Sequence, residues 1–210
     1  MTTVYMITNN YLLKNPIIYK KEVSDEQKRE DNLLSFKGEK TASELLKREE
    51  LKKVKTIYSS TYKSAIGSAK YLSEELDLPI YIDSRLKERR IGVLTGNDET
   101  FLKETQTHDF DYKYPSGESL NMVIERMKTC LKDILFHNEE EVVAVFTHDI
   151  ALESLFTIWC DKGYSLENQM ILNYKDNVII DGGYHKTRIF RLDFEGDKLR
   201  NITWEQEKEL

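Results

Sequence analysis

Apolar positions along the chain alternate between two periods. Residues 4–7 (VYMI) and 142–146 (VVAVF) are uninterrupted apolar runs, short enough for strands buried on both faces. Thr56-Ile57-Tyr58 makes a second strand, and residues 80–82, released from a helix by Pro79, a third. Between them the spacing becomes helical. Ala42, Leu45 and Leu46 form a narrow stripe over 39–51, and Ala65, Ala69, Leu72 and Leu76 repeat on one face of the next helix. The clearest helix, 118–136, aligns Leu120, Val123, Ile124, Met127, Leu131, Ile134 and Leu135, with Cys130 beside them. A further helix is predicted over 150–159 with Asp149 as its cap, its apolar side carrying Phe156 and Trp159. Strands near 178–180 and 187–194 flank Asp181-Gly182-Gly183, and a ribbon around 199–204 follows.

Two stretches fall outside this alternation. Residues 11–35 are mixed and highly charged, which suggests a surface excursion. Residues 83–117 hold turn signals at Gly92, Gly96-Asn97-Asp98 and Pro115-Ser116-Gly117, with Phe101, Phe110, Tyr112 and Tyr114 among them as the apolar content of a small lid. Together the pattern predicts an α/β protein: a three-layer α/β/α sandwich with a mostly parallel central sheet. It occupies residues 1–210 as one domain, with a lid-like insertion around 93–117.

Composition narrows the function classes. The 210 residues suffice for one substantial core, and 40% apolar with 32% charged residues is the balance of a soluble protein. A formal charge of -6 argues against a nucleic-acid partner, since phosphate contacts call for dense Lys and Arg. The one tight basic group is Arg85, Lys87, Arg89 and Arg90. No run approaches a membrane span, and no basic stretch followed by a long apolar one opens the chain, so a cytoplasmic location is expected. Cys130 and Cys160 lie in helical patterns and read as buried thiols, without the companion ligands of a zinc site. No metal or cofactor is expected. The partner expected is a small molecule or a protein of unknown identity, and the 12 tyrosines leave a homodimer open.

In a parallel sheet, polar residues at the carboxyl ends of strands gather into one crevice. Here these are Thr8-Asn9-Asn10, Ser59-Ser60-Thr61, the loop after Ile82 with Glu88, and Thr147-His148-Asp149; Gly117-Glu118-Ser119 opens the next helix. Each taken singly has an ordinary structural explanation. A serine pair after a strand usually caps a helix, a glutamate in a charged loop is usually solvated, and a lone histidine is more often packed than catalytic.

The set in order resembles the histidine phosphatase superfamily, whose members include the cofactor-dependent phosphoglycerate mutases. Thr8-Asn9-Asn10 stands where that family carries Arg-His-Gly, and Asn15 matches an asparagine of the mutase branch. Residues 59–69 (SSTYKSAIGSA) are similar to the family's Ser-Ser-Pro-Leu-x-Arg-Ala-x-Gln-Thr-Ala segment. Residues 85–92 (RLKERRIG) are similar to its Arg-Leu-x-Glu-x-x-x-Gly loop, Gly117-Glu118-Ser119 to its Gly-Glu-Ser, and Val143 to His148 to the strand delivering its second histidine.

The resemblance implies that the first histidine attacks phosphorus, that two arginines and the second histidine hold the phosphate, and that a carboxylic acid protonates the leaving oxygen. Carried onto this chain, the nucleophile falls on Asn9, the arginines on Thr8 and Ser64, the proton donor on Glu88 and the second histidine on His148. Asn10 and Asp149 replace the glycines that follow the two histidines. An amide has no lone pair able to attack phosphorus. Each lost arginine removes about 1.5 to 3 kcal/mol of charged hydrogen bonding, so the pair removes about 3 to 6 kcal/mol, on the order of 10² to 10⁴ in phosphate affinity.

Three readings follow. In the first, the protein is a pseudophosphatase with a binding or regulatory role. The second makes Glu88 and His148 an acid–base pair acting on a non-phosphate substrate bound by Thr8, Asn9, Asn10 and Ser64. A residual phosphomonoester hydrolase is the third, recovering positive charge from Lys63, Arg89 or Arg90. Of those cations, Arg89 and Arg90 are the stronger candidates for ligand contact, because the arginine register of the family falls on Ser64 and leaves Lys63 on the solvated helix face.

Overall fold

The computed structural model describes residues 1–9, 11–13, 18–19, 21–93, 101–102, 104–105, 108–183 and 187–205. Nine strands and five α-helices can be followed through them. These are β1 (Thr2–Asn9), α1 (Asp25–Asp31), α2 (Phe36–Glu44), β2 (Thr56–Ser59), α3 (Lys63–Leu76), β3 (Ile80–Ile82), α4 (Leu120–His137), β4 (Val142–Phe146), α5 (Asp149–Phe156), β5 (Asp161–Tyr164), β6 (Met170–Tyr174), β7 (Asn177–Asp181), β8 (Thr187–Glu195) and β9 (Lys198–Trp204).

The main sheet has the order β3-β2-β4-β1-β8-β9. Pairings β3–β2, β2–β4 and β4–β1 are parallel, and β8 and β9 add two antiparallel pairings at the other edge. The expected α/β sandwich with a mostly parallel sheet is therefore the observed architecture. Strand alternation distributes its two faces. From β1, Tyr5 and Ile7 join Ile57, Phe146 and Ile189 beneath α3, packed on Ala65, Ala69 and Leu72. Val4 and Met6 point the other way, joining Val145, Phe190 and Leu192 under α4 and α5 through Val123, Met127, Leu152 and Phe156. Such two-sided burial is why β1 and β4 read as continuous apolar runs.

Three expectations need correction. The helix expected over 39–51 ends as an α-helix at Glu44 and continues as two 3-10 turns, Leu45–Lys47 and Leu51–Lys53, which bury Leu45 and Leu51. The helix after β4 stops at Phe156, so Trp159 lies beyond it, in edge contact with Phe194 at 6.1 Å. Asp149 is not its cap: His148 holds that position without a side-chain bond, and Asp149 is the first residue inside. A second sheet, β5-β6-β7, was not foreseen, because β5 carries Asp161, Lys162 and Gly163 and little apolar signal. Leu172, Ile179 and Ile180 of this sheet nevertheless pack into the α4–α5 core.

The charged excursion contains α1, and short contacts between residues 11–13 and 33–35 close it: Leu13 N–H donates to Leu33 O and Ser35 N–H to Tyr11 O. Of the lid-like insertion, residues 94–100, 103, 106 and 107 lie outside the described residues. Among its described aromatics, Tyr112 meets both Phe101 and Tyr114 edge-on, at 5.8 and 5.6 Å. Both cysteines are buried and free. No helix among the described residues is long and apolar enough to cross a membrane.

Candidate functional site

The carboxyl ends of β1, β2 and β4 meet the start of α3, and there Ile7, Asn9, Ser64, Ala65, Ser68, Phe146, Thr147 and His148 line one crevice. Asn9 and His148 are thus brought together, with Ser64 as a third wall. The space between them is too narrow to admit a water molecule. Asn9 is held at both ends of its amide. Its Nδ2 donates to Gly38 O at 3.1 Å, and Tyr11 N–H donates to its Oδ1 at 3.2 Å. That grip depends on Gly38 lying against Tyr11, where a Cβ would fall 2.4 Å from the Tyr11 carbonyl oxygen.

His148 is 8% exposed, with Nε2 2.7 Å from Ser60 Oγ and its ring 4.4 Å from that of Tyr62. Burial, reinforced by the Arg126 charge, pushes its pKa down to about 3, so the imidazole is neutral. Ser60 is in turn an acceptor for Tyr62 N–H at 3.3 Å.

Glu88 does not line the crevice. Its carboxylate accepts Arg89 N–H at 2.7 Å, Ala151 N–H at 3.0 Å and Ile150 N–H at 3.2 Å, so it closes the amide end of α5 from another segment. Burial, with Asp149 adding to it, raises its pKa to about 7 against the pull of those three amides. Thr147 Oγ1 donates to Leu86 O at 2.8 Å and fixes this loop to the end of β4.

Thr8 is on the opposite face of β1 from Asn9, 1% exposed, with no partner for Oγ1. Directly across the β1–β8 ladder stands Arg188, 3% exposed. Its Nη1 is 2.5 Å from Glu153 Oε1 and 3.9 Å from Asp149 Oδ1, and Nη2 donates to Gly183 O at 2.8 Å. A guanidinium therefore sits next to the position where the resemblance calls for one, but carboxylates of α5 already neutralise it.

Other cations of the rim are paired as well, except that Arg89 keeps its buried Nη2 without a partner among the described residues. Glu118 grips Arg126 through both oxygens, at 2.9 and 3.1 Å, and accepts Arg90 N–H. Arg126 also donates to the carbonyls of Arg85, Lys87 and Glu88, which ties down the loop carrying Glu88. Lys63 pairs with Asp31 at 2.7 Å and Lys87 with Glu30 at 2.5 Å. Arg89 is 2% exposed, donates from Nε to Glu118 O, and is lowered to about pKa 10 by burial. Arg90 is exposed. Asn10 and Asn15 lie outside the described residues.

Sequence reasoning missed Arg126, Arg188, Glu153 and Tyr62. Arg188 had a signal: it is in phase with Phe190, Leu192 and Phe194, so alternation places a charge on an apolar face, where it needs a partner. A roomier cleft of about 510 Å³ lies between α4 and the β2–β3 edge, lined by Tyr58, Tyr81, Asp83, Asp133 and His137, and contains none of the candidate residues. Among the described residues no group of three or more His, Cys, Asp or Glu could hold a metal ion.

Comparison with known proteins agrees with this fold. The family model described as histidine phosphatase superfamily (branch 1) matches residues 20–194. A probable phosphoglycerate mutase of Escherichia coli is 24% identical over 174 residues, covering 75% of this chain and 81% of that protein. Phosphoserine phosphatase of Entamoeba histolytica in complex with 3-phosphoglyceric acid superposes with a TM-score of 0.68 at 17% identity, over 99% of this chain and 98% of that one. A His-to-Ala variant of the same phosphatase, in complex with phosphoserine, gives 0.66 at 16% identity over 98% and 96%. With a family model spanning most of its length, the chain belongs to branch 1 of the histidine phosphatase superfamily.

Proposed function

We propose that this protein is a catalytically silent histidine phosphatase: a scaffold of that family that works by binding rather than by phosphoryl transfer. The observation that carries the reading is Asn9. Its amide lies at the end of β1, in one crevice with His148, and both of its polar atoms are spent on Gly38 and Tyr11. Transfer through a phosphoenzyme needs a nucleophilic lone pair and fixed positive charge on the developing oxyanion. Asn9 offers no such lone pair, and the nearby cations Arg188, Arg126, Lys63 and Lys87 each face a carboxylate of the chain itself.

The alternative acid–base chemistry finds less support. His148 is engaged with Ser60, and the Glu88 carboxylate points at backbone amides of α5. A family member solved with phosphoserine after losing a histidine illustrates that binding can outlast removal of such a side chain. The test is turnover. Purified protein incubated with phosphoserine, 3-phosphoglycerate and p-nitrophenyl phosphate is expected to release no phosphate above a heat-denatured blank. Release that survives Asn9→Ala but disappears with His148→Ala would overturn the proposal.

A further inference from the structure

Helix α1 is held to the rest of the protein in an unusual way. None of its seven residues is buried, so no apolar side chain anchors it. Instead Tyr62 Oη donates to Glu26 Oε1 at 3.0 Å, Lys63 Nζ meets Asp31 at 2.7 Å and Lys87 Nζ meets Glu30 at 2.5 Å. Tyr19 Oη and Gln27 Nε2 brace the Asp31 carboxylate, which with Lys63 as the leading cause is pulled down to about pKa 2. The three receiving groups come from the two segments that flank the crevice. Tyr62 and Lys63 begin α3, with the Tyr62 ring against His148, while Lys87 immediately precedes Glu88.

An acidic helix face thus meets a basic and phenolic rim directly outside the silent crevice. Glu26 and Glu30, four residues apart, share one side of the helix, and Asp31 lies about 100° round from Glu30. A seven-residue helix is marginal without packing, and partly exposed ion pairs such as these are modest and weakened by salt. The occupant is therefore replaceable, whereas the rim is fixed on α3 and on the loop pinned by Arg126. Among the described residues the crevice behind it has no room for a water molecule, so this mouth is the accessible surface beside it.

We propose that Tyr62, Lys63 and Lys87 form a docking surface for acidic peptide segments, and that α1 is its intramolecular occupant. The partner implied is a protein segment carrying two or three carboxylates within about one helical turn, which takes the place of α1. This rests on the reading of the site as a binding surface, but its test involves no catalysis. Detected phosphatase activity would sink that reading and leave the docking result standing.

The experiment uses the full chain and a fluorescein-labelled peptide of residues 22–34 as probe. In wild type the rim is occupied; in the variant Glu26→Gln, Glu30→Gln, Asp31→Asn it is vacated. The variant is expected to bind the peptide at least about tenfold more tightly than wild type. Its affinity should fall steeply with added salt and disappear when Lys63→Gln and Lys87→Gln are introduced as well. Hydrogen exchange of the amides of residues 25–31 provides a second measurement: it should accelerate in full-length Lys63→Gln, Lys87→Gln protein, with α4 protection unchanged. Equal peptide binding to wild type and variant, absence of binding to the folded variant, binding that survives loss of both lysines, or unchanged α1 exchange would each overturn the proposal.

Discussion

Arg188→Met is the substitution that most sharply tests whether the cations of this site are consumed internally. Arg188 and Glu153 have side chains 3% and 20% exposed and approach to 2.5 Å, with Asp149 at 3.9 Å from the same nitrogen. Removing the guanidinium takes the shared cation from two largely buried carboxylates, 14% and 20% exposed. Breaking a buried pair in this way costs about 3 to 5 kcal/mol. Burial already raises the Glu153 pKa and Arg188 opposes that rise, so the variant recovers part of the cost by taking up a proton. Its penalty should therefore be largest at high pH and shrink as pH falls. Glu153→Met is milder, about 1 to 3 kcal/mol, since Arg188 retains Asp149 and the Gly183 carbonyl. The double variant removes both charges and should return to within about 1 kcal/mol of wild type, leaving a coupling of about 3 to 8 kcal/mol. Urea unfolding of the four proteins at pH 7 and 8, followed by circular dichroism, measures the cycle. Strictly additive costs would mean that Arg188 is not committed to Glu153 and is available to an anion, and the argument from internal neutralisation would fail.

Two further outcomes follow from the same geometry. His148 titrates at about 3 when folded and near 6.5 when unfolded, so its contribution is complete above pH 6.5 and is lost as pH falls towards 3. Glu88, raised from 4.5 to about 7, acts with the opposite sign: its contribution is complete below pH 4.5 and is lost as pH rises towards 7. The slopes oppose each other between pH 4.5 and 6.5, so these two groups contribute a nearly level stability there. His148→Asn should expose a decline with rising pH and Glu88→Gln an increase, and identical profiles for all three proteins would refute the assignment. Restoring Thr8→Arg, Asn9→His and Ser64→Arg together should give an unstable protein without turnover, because the new arginine at position 8 faces Arg188 across the ladder in a site that is 1% exposed. Adding Arg188→Thr should recover several kcal/mol of that stability, as read from urea midpoints, on the order of 3 kcal/mol for two charges about 5 Å apart.

Most of the framework was legible because it depends on local rules. The continuous runs at β1 and β4 required burial on both faces, and the stripe from Leu120 to Leu135 required a helix over them. The crevice was legible in outline, since parallel strands deliver their carboxyl ends to one place and Asn9 and His148 duly meet there. What escaped depends on distant partners. Asp149 looked like a cap in sequence, yet Glu88 fills that role across 62 and 63 positions of chain, and no local pattern records such a reach. Arg126 occupies an ordinary helix position 8 residues from Glu118, and only the folded loop reveals the three carbonyls it collects. The role of α1 was hidden because its anchors are ion pairs, whose partners sequence cannot match. β5 and β6 went unseen because their pairing compensates for weak alternation.

Phosphate binding offers the most direct test of the account's central claim, that the family's anion site has been dismantled. Calorimetric titration of the intact protein with inorganic phosphate and with vanadate, at low ionic strength and pH 7, should show no saturable heat up to about 10 mM, as expected when two arginines worth on the order of 10² to 10⁴ in affinity are missing. Saturable binding below about 1 mM that is abolished by His148→Ala would mean that the crevice still holds a phosphoryl group, and the account would be wrong.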